Sequence, residues 1–422
     1  MKGRLAYKWG LLALVSVTYF LAQGSRQIYN TVLPSIKADF AASGLDDLSL
    51  GLVGSAFTFI FGLVIPFAGT AADFLRRKRM IVVGTLLFSV GIFASGFASG
   101  LGLLLVAYGV LNAAGQSLLP PSISSLIGQF HVATRATAFS IYQVVFYAGI
   151  VVCSCVSGWL SGLGTGGWRR AFWIFGATGL GWALALAVLL RDTPHPAAPS
   201  ADGDRPSKNG DRPSVREALW AFFGQPAALL LTLGLGFCLY ATYGFRLWIP
   251  TFLLRMFPGL TPAGAAFHAV FWYYVGAMAG VLYAGRLSDR LLPRRPAVRL
   301  ETNVVGLLLM VPFLLLTAFA GSVPVVCAAI FCFGVAAGVY DSNLYAALLD
   351  VVSPRYRAAA VGFFGCGGNV LGALGPGLLG GLNGLFGMRA SLASLALFAL
   401  AGALVILLAR KSFTRLRKEQ ET

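Results

Sequence analysis

Charge is what this chain has least of. Only 11% of its 422 residues are Asp, Glu, Lys or Arg, whereas a soluble domain carries about 25%. A soluble enzyme is therefore excluded. Acids are the scarcer sign, with 15 Asp and Glu against 32 Lys and Arg. Histidine is almost missing. None of His131, His195 and His268 has a second ligand at metal-like spacing, so no metal is expected. There is no Gly-x-x-x-x-Gly-Lys-Ser/Thr loop, which argues against a nucleotide-driven machine. No nucleophile is accompanied by a base and an oxyanion site, and no cofactor is expected. The six cysteines, Cys153, Cys155, Cys238, Cys327, Cys332 and Cys366, all fall in apolar stretches and read as small packing residues. No small-residue cleavage site follows the first apolar run, so it reads as a span rather than a cleaved leader.

What fills the space is hydrophobic sequence, 57% of the chain. Stretches of about 20 apolar residues, each long enough to cross a bilayer as a helix, recur along the sequence. Twelve are expected, near 9–35, 48–73, 78–99, 101–128, 135–161, 168–190, 219–253, 264–287, 300–320, 324–350, 357–382 and 390–410. The expected fold is all-α and integral to the membrane. The net charge of +17 could suggest nucleic acid, but its distribution argues otherwise. Basic residues collect in alternate loops and at both ends; only Lys37, Arg169, Arg170, Arg255 and Arg389 fall on the other side. This is the positive-inside pattern and predicts both termini in the cytoplasm. Some of these cations can also touch anionic lipid.

The segment from Asp192 to Val215 breaks the rhythm. Its Pro, Asp, Arg, Ser and Gly (DTPHPAAPSADGDRPSKNGDRPSV) cannot build a core and predict a cytoplasmic linker over 192–215. It separates an N-terminal six-helix bundle, 1–191, from a C-terminal bundle and tail, 216–422. The halves echo each other. Asp73 and Asp289 are 216 positions apart, as are Pro34 and Pro250. Arg135 and Arg357, opening spans 5 and 11, are 222 apart. Landmarks in the same order at nearly constant offset imply an internal repeat, so the twelve helices form two pseudo-symmetric bundles. Transporters with such repeats bind their cargo between them, near mid-membrane.

Two arginines stand inside apolar runs: Arg26 in WGLLALVSVTYFLAQGSRQIYNTVLP and Arg246 in LLLTLGLGFCLYATYGFRLWIP. A charge at bilayer depth costs about 3 kcal/mol or more, so it faces a watery cavity and has a task there. Arg26 precedes Pro34 by eight residues and Arg246 precedes Pro250 by four. The difference is one helical turn, so both can share a face of equivalent helices. A guanidinium donates two parallel hydrogen bonds to carboxylate or phosphate. The pair predicts a central site for a small anion. Neighbouring amides and aromatics extend the candidate site to Tyr29, Asn30, Gln116, Tyr142, Gln143, Tyr147, Tyr243, Asn343 and Asn369, with Tyr240 and Tyr340 as further aromatics. Asp341 is the one acid placed deep in a span. It reads either as an ion-pair partner for one arginine or as a group that couples transport to protons.

Between spans 2 and 3 the sequence Gly69-Thr70-Ala71-Ala72-Asp73 leads to Arg76-Arg77-Lys78-Arg79. Between spans 8 and 9, Gly285-Arg286-Leu287-Ser288-Asp289-Arg290 leads to Arg294-Arg295. With the six-plus-six layout and the linker, these paired loops resemble the major facilitator superfamily over essentially the whole chain. The resemblance implies a cytoplasmic gate at Asp73, Arg77, Asp289 and Arg290. Arg76 departs from the family pattern, which has glycine there. Span 1, with Ser25-Arg26-Gln27 leading to Leu33-Pro34-Ser35, is similar to the anion:cation symporter group, as are GWRRAFWIFG and WIPTFLL; spinster-like lipid transporters share much of it. That group carries organic anions and often has an Asp before the span-1 arginine and a Glu in span 4. Ser25 and Gln116 stand there instead, and neither titrates usefully.

These readings together predict a secondary transporter, not an enzyme. It would move a sugar acid or related carboxylate across the cell's inner (plasma) membrane by alternating access, with proton symport as the family's default and uniport or anion exchange left open by Ser25 and Gln116. Its expected partners are that small anionic substrate, protons and membrane lipid, with no nucleic acid, and it would act as a monomer. The alternative is an exporter of an amphiphile or drug, including a spinster-like lysolipid transporter.

Overall fold

Within a bilayer every backbone N–H and C=O must be satisfied inside its own segment, which leaves helices as the solution for apolar runs of this length. In the computed structural model, which describes residues 2–41, 44–131, 134–191, 215–353 and 356–421, every regular element among the described residues is helical. Among the described residues, ten helices are long and apolar enough to cross a membrane. The last of these, Ala359–Lys411, turns back at Gly387 and makes two passes. Gly387 has φ 78°, a left-handed conformation that glycine adopts without a side-chain clash. Lys2–Asp39, more polar in its middle, supplies the remaining pass.

The spans are Lys2–Asp39 (span 1), Asp47–Phe74 (span 2), Arg77–Ser95 (span 3), Leu101–Phe130 (span 4), Arg135–Ser161 (span 5) and Gly167–Leu189 (span 6). A short helix, Val215–Phe223, then precedes Pro226–Met256 (span 7), Pro262–Leu291 (span 8), Val298–Phe319 (span 9) and Val323–Val351 (span 10). Span 11 begins as Arg357–Gly372 and continues from Leu374 to the turn at Gly387; span 12 follows. The expected linker, 192–215, lies outside the described residues except for Val215 at the start of the short helix.

Each half closes on itself. In the first, span 1 packs on span 5 and span 3 on span 6. In the second, span 8 packs on span 10, and spans 7 and 9 on the helix through spans 11 and 12. Glycine makes these contacts close: a side chain at Gly149 would run into the backbone of Phe20, and one at Gly24 into Cys153. The halves meet along two seams, span 2 against span 11 and span 5 against span 8, with spans 1 and 7 touching between them. Exchanging the halves maps one seam onto the other, as a pseudo-two-fold repeat requires. Leu184, Val188, Leu385 and Leu397 point outward and are exposed, the apolar belt of a protein bathed in lipid.

The seams are tight at the end that carries Asp47. There Gly51 and Gly380 press against backbone of the opposite half, at Pro376 and Asp47. The Gly377 N–H donates to Ser55 Oγ at 2.9 Å. Asp47 accepts from Arg255 Nη1 at 3.1 Å and Nη2 at 3.2 Å, tying span 2 to span 7, and also pairs with Lys37. Across the other seam, Gly158 lies against the backbone of Pro262 and Ala263.

Candidate functional site

Span 1 continues as one helix through Pro34 and carries Arg26 to the middle of the molecule. Span 7 does the same for Arg246. Both guanidiniums line one pocket between the halves, of about 340 Å³ when counted to its open mouth, with Asn30, Gly54, Phe57, Thr58, Tyr108, Tyr243, Leu247 and Pro376. Gly54 permits the closure above it, since a Cβ there would touch Leu247 and Pro376.

Aromatic rings hold the cations by their faces. The Arg26 guanidinium carbon lies 4.8 Å from the Phe57 ring centroid, 5.3 Å from Phe61 and 5.5 Å from Tyr243. Arg246 lies 5.2 Å from Tyr274 and 6.0 Å from Tyr273. Stacking uses the face of the guanidinium and leaves its in-plane N–H donors available. Among the described residues, no side chain or carbonyl accepts a hydrogen bond from either guanidinium, and no carboxylate lies within 4.0 Å of one. Desolvating an uncompensated cation costs several kcal/mol, so both need water or an anion.

The other candidate residues separate into groups. Asn30 lines the pocket, its Nδ2 donating to Gln27 Oε1 at 3.1 Å. Tyr243 lines it too and donates to Asn369 Oδ1 at 2.9 Å; Asn369 in turn packs on Gly62 of the opposite half. Tyr147 meets Tyr274 across the halves with centroids 5.3 Å apart. Tyr142 is buried, stacked on Tyr19 at 4.4 Å, and Gln143 on the same helix is exposed.

Three expected contacts lie elsewhere. Tyr29 is fully buried, and its hydroxyl donates to the Leu50 carbonyl at 2.7 Å inside the first half. Asn343 is buried where span 10 breaks, accepting from Ser288 Oγ and donating to Ser342 Oγ, both at 2.9 Å. Gln116 is buried with its Nε2 donating to Ser25 Oγ at 3.2 Å and Asn112 Oδ1 at 2.9 Å. The two residues that replace the symporter group's acids therefore touch each other, as a neutral pair. They sit beside a π-helical stretch, Leu105–Asn112, a wider turn that recurs near functional sites. It carries Tyr108 to the pocket, where the Tyr108 hydroxyl donates to the Arg26 carbonyl at 2.7 Å.

Two of the implied gate residues are described with their surroundings. Asp289 is exposed and lies 3.9 Å from Arg299 of its own half, and Arg290 is exposed. Arg77 begins span 3, and the Asp73 side chain lies outside the described residues. The halves are closed at the Asp47 end. Asp341 is exposed although far from either end of span 10. Asp341 makes no contact ion pair within 4.0 Å among the described residues, but its charge reaches Arg246. Phe57, Phe61, Tyr108, Tyr273 and Tyr274 are site residues that the sequence did not single out.

Comparison with known proteins places this geometry. The profile described as Major Facilitator Superfamily matches residues 15–301 and 298–422. The probable sulfoacetate transporter SauU of Cupriavidus necator is 26% identical over 397 residues, covering 90% of this chain and 88% of that one. The quinolone resistance protein NorA of Staphylococcus aureus is 26% identical over 212 residues, 50% of this chain and 51% of NorA. Among solved structures, an inward-facing, unoccupied bacterial homolog of the human lysosomal transporter Spinster superposes with a TM-score of 0.85 at 23% identity, covering 97% of this chain and 98% of that one. The nucleoside transporter NupG gives 0.71 at 16%, covering 94% and 98%. With its all-helical spans, its two-seam packing and these matches, the chain is a multi-pass membrane transporter that belongs to the Major Facilitator Superfamily.

Proposed function

We propose that this transporter moves a small organic anion, and that the anion binds between Arg26 and Arg246. One observation carries the reading: cations from opposite halves share a pocket with their hydrogen-bond donors unspent. An anion touching both would join the halves, which is what a cargo must do in alternating access. Asn30, Thr58 and Tyr243 add neutral polar groups for the rest of the ligand. Two uncompensated cations favour two negative groups on the cargo. A sulfonate with a carboxylate meets that demand, and the relative from Cupriavidus necator is described as a probable sulfoacetate transporter. Sugar acids and related carboxylates remain in the same class.

In this reading residues 1–191 and 216–422 rock as two bodies about the pocket, joined by the segment 192–215. The excess of basic residues at the linker end supports a cytoplasmic position for that end, at the inner membrane. Uptake is coupled to protons. The Ser25–Gln116 pair cannot carry them, which leaves Asp341 as the deep acid.

The test is thermal unfolding of the purified protein with sulfoacetate, gluconate, inorganic phosphate and lysolipid. A ligand at a hundredfold its Kd adds about 2.7 kcal/mol to stability and raises Tm. Stabilisation by the anions, lost in Arg26→Gln, is the expected result. Stabilisation by lysolipid alone, retained in Arg26→Gln, would reject the reading. That outcome belongs to the alternative, export of an amphiphile, which the aromatic wall of Tyr19, Tyr142, Phe146, Tyr147 and Tyr274 favours.

A further inference from the structure

Each hydroxyl lining the pocket, on Thr58, Tyr108 and Tyr243, has already spent its proton. Thr58 Oγ donates to the Gly54 carbonyl at 3.0 Å, the usual bond of a helical threonine to the turn before it. Tyr108 donates to the Arg26 carbonyl at 2.7 Å. Tyr243 donates to Asn369 Oδ1 at 2.9 Å. The partners fix these directions. A backbone carbonyl only accepts. Asn369 has an amide with two different ends, but its Nδ2 donates to the Gly365 carbonyl at 2.8 Å, so its oxygen faces Tyr243. Each hydroxyl therefore has only lone pairs left to offer. Tyr108 is buried, whereas the Thr58 and Tyr243 oxygens accept no hydrogen bond among the described residues. The two guanidiniums are the reverse, donors with no accepting atom. Asn30 can serve either way, because an amide carries both.

We propose that the cargo is a hydroxylated dianion, with two negative groups for Arg26 and Arg246 and a hydroxyl between them that donates to Thr58 Oγ or Tyr243 Oη. The inference rests on the anion reading above and narrows its substrate class. Charge decides which kind of donor fits. An ammonium group or a metal cation also seeks lone pairs, but it would set a third positive charge beside two uncompensated guanidiniums, and Coulomb repulsion opposes that. A hydroxyl brings its proton without a charge. Each half supplies one cation and one acceptor, Arg26 with Thr58 in the first and Arg246 with Tyr243 in the second. Sulfoacetate, the cargo in the description of the Cupriavidus necator relative, would satisfy both arginines and leave both hydroxyl oxygens to water. A site built to bond a substrate's hydroxyl discriminates against the analogue without one. Water can take the missing group's place in an open pocket, so the discrimination is that of one neutral hydrogen bond, about three- to tenfold in Kd.

Malate and succinate differ by one hydroxyl, as do sulfolactate and sulfopropionate. The Kd of each is measured on the purified protein from the rise of Tm with ligand concentration, at mildly alkaline pH where all four are dianions, with sulfoacetate beside them. Wild type is expected to bind the hydroxylated member of a pair about three- to tenfold more tightly. Thr58→Val and Tyr243→Phe each remove one oxygen, and the phenyl ring can still stack on Arg26. The variant that lacks the oxygen in use is expected to bring the ratio within a pair to about one, and the double variant to do so whichever oxygen is used. Mere loosening of the pocket would weaken both members alike and leave the ratio unchanged. Equal Kd values within every pair that binds, tighter binding of the member without the hydroxyl, or binding of sulfoacetate with none of the four would overturn the inference while leaving the anion reading intact. So would a preference that survives in the double variant, or in both single variants if the double one does not fold. If no dianion raises Tm, the anion reading fails and this inference with it.

Discussion

Arg26 and Arg246 announce themselves because a cation in an apolar run demands a reason. The rings beneath them do not, since phenylalanine and tyrosine are ordinary in membrane helices. Helix geometry explains which neighbours reach the pocket. At 100° per residue, about 3.6 to the turn, Asn30 lies some 40° from Arg26 around span 1, and Tyr29 some 60° to the other side, toward span 2. The same rotation buries Gln116 against Ser25. Arg26→Lys keeps the charge and loses both the fork and the stacking on Phe57 and Phe61. With a charge-assisted hydrogen bond worth about 1.5–3 kcal/mol, the substitution is expected to raise the KM for uptake roughly ten- to a hundredfold, measured in proteoliposomes.

Helices were legible in the sequence because a bilayer leaves the backbone no alternative. Their irregularities were not. The π-helical stretch Leu105–Asn112 and the break at Asn343 depend on packing across spans, on which hydropathy is silent. The turn at Gly387, by contrast, falls in the expected gap between 382 and 390. Caps are local and testable. The Ser49 N–H donates to Asp46 Oδ1 at 2.8 Å as span 2 begins, and the Ser49 side chain together with this N–H holds the Asp46 carboxyl below its ordinary value. The cap therefore contributes fully above the unfolded pKa, about 3.9, and fades as pH falls through the lower folded value. Asp46→Ala is expected to cost about 1 kcal/mol near neutral pH, read as a drop in Tm, and much less in acid. Close packing is a second such test. Gly149→Val drives a side chain into the Phe20 backbone and is expected to cost at least about 1–3 kcal/mol, measured the same way.

For the whole molecule, the repeat made the two halves legible and the charge asymmetry predicts the direction of the chain, but neither says which state the carrier occupies. The contacts at the Asp47 end bear on it. The Asp47–Arg255 bridge and the glycine contacts beside it must part before the pocket can open there. Arg255→Gln leaves Asp47 to Lys37 alone and is expected to raise several-fold the labelling of a cysteine placed at Thr58 by a reagent added from the Asp47 end. Unchanged labelling would mean that the bridge does not hold the closure. The glycines offer a stronger lever. Because Gly380 lies flush against the Asp47 carbonyl, a bulky residue such as leucine at that point acts as a doorstop. A Gly380→Leu protein could fold each bundle normally yet never shut that mouth, giving crystallographers a carrier arrested in its opposite posture.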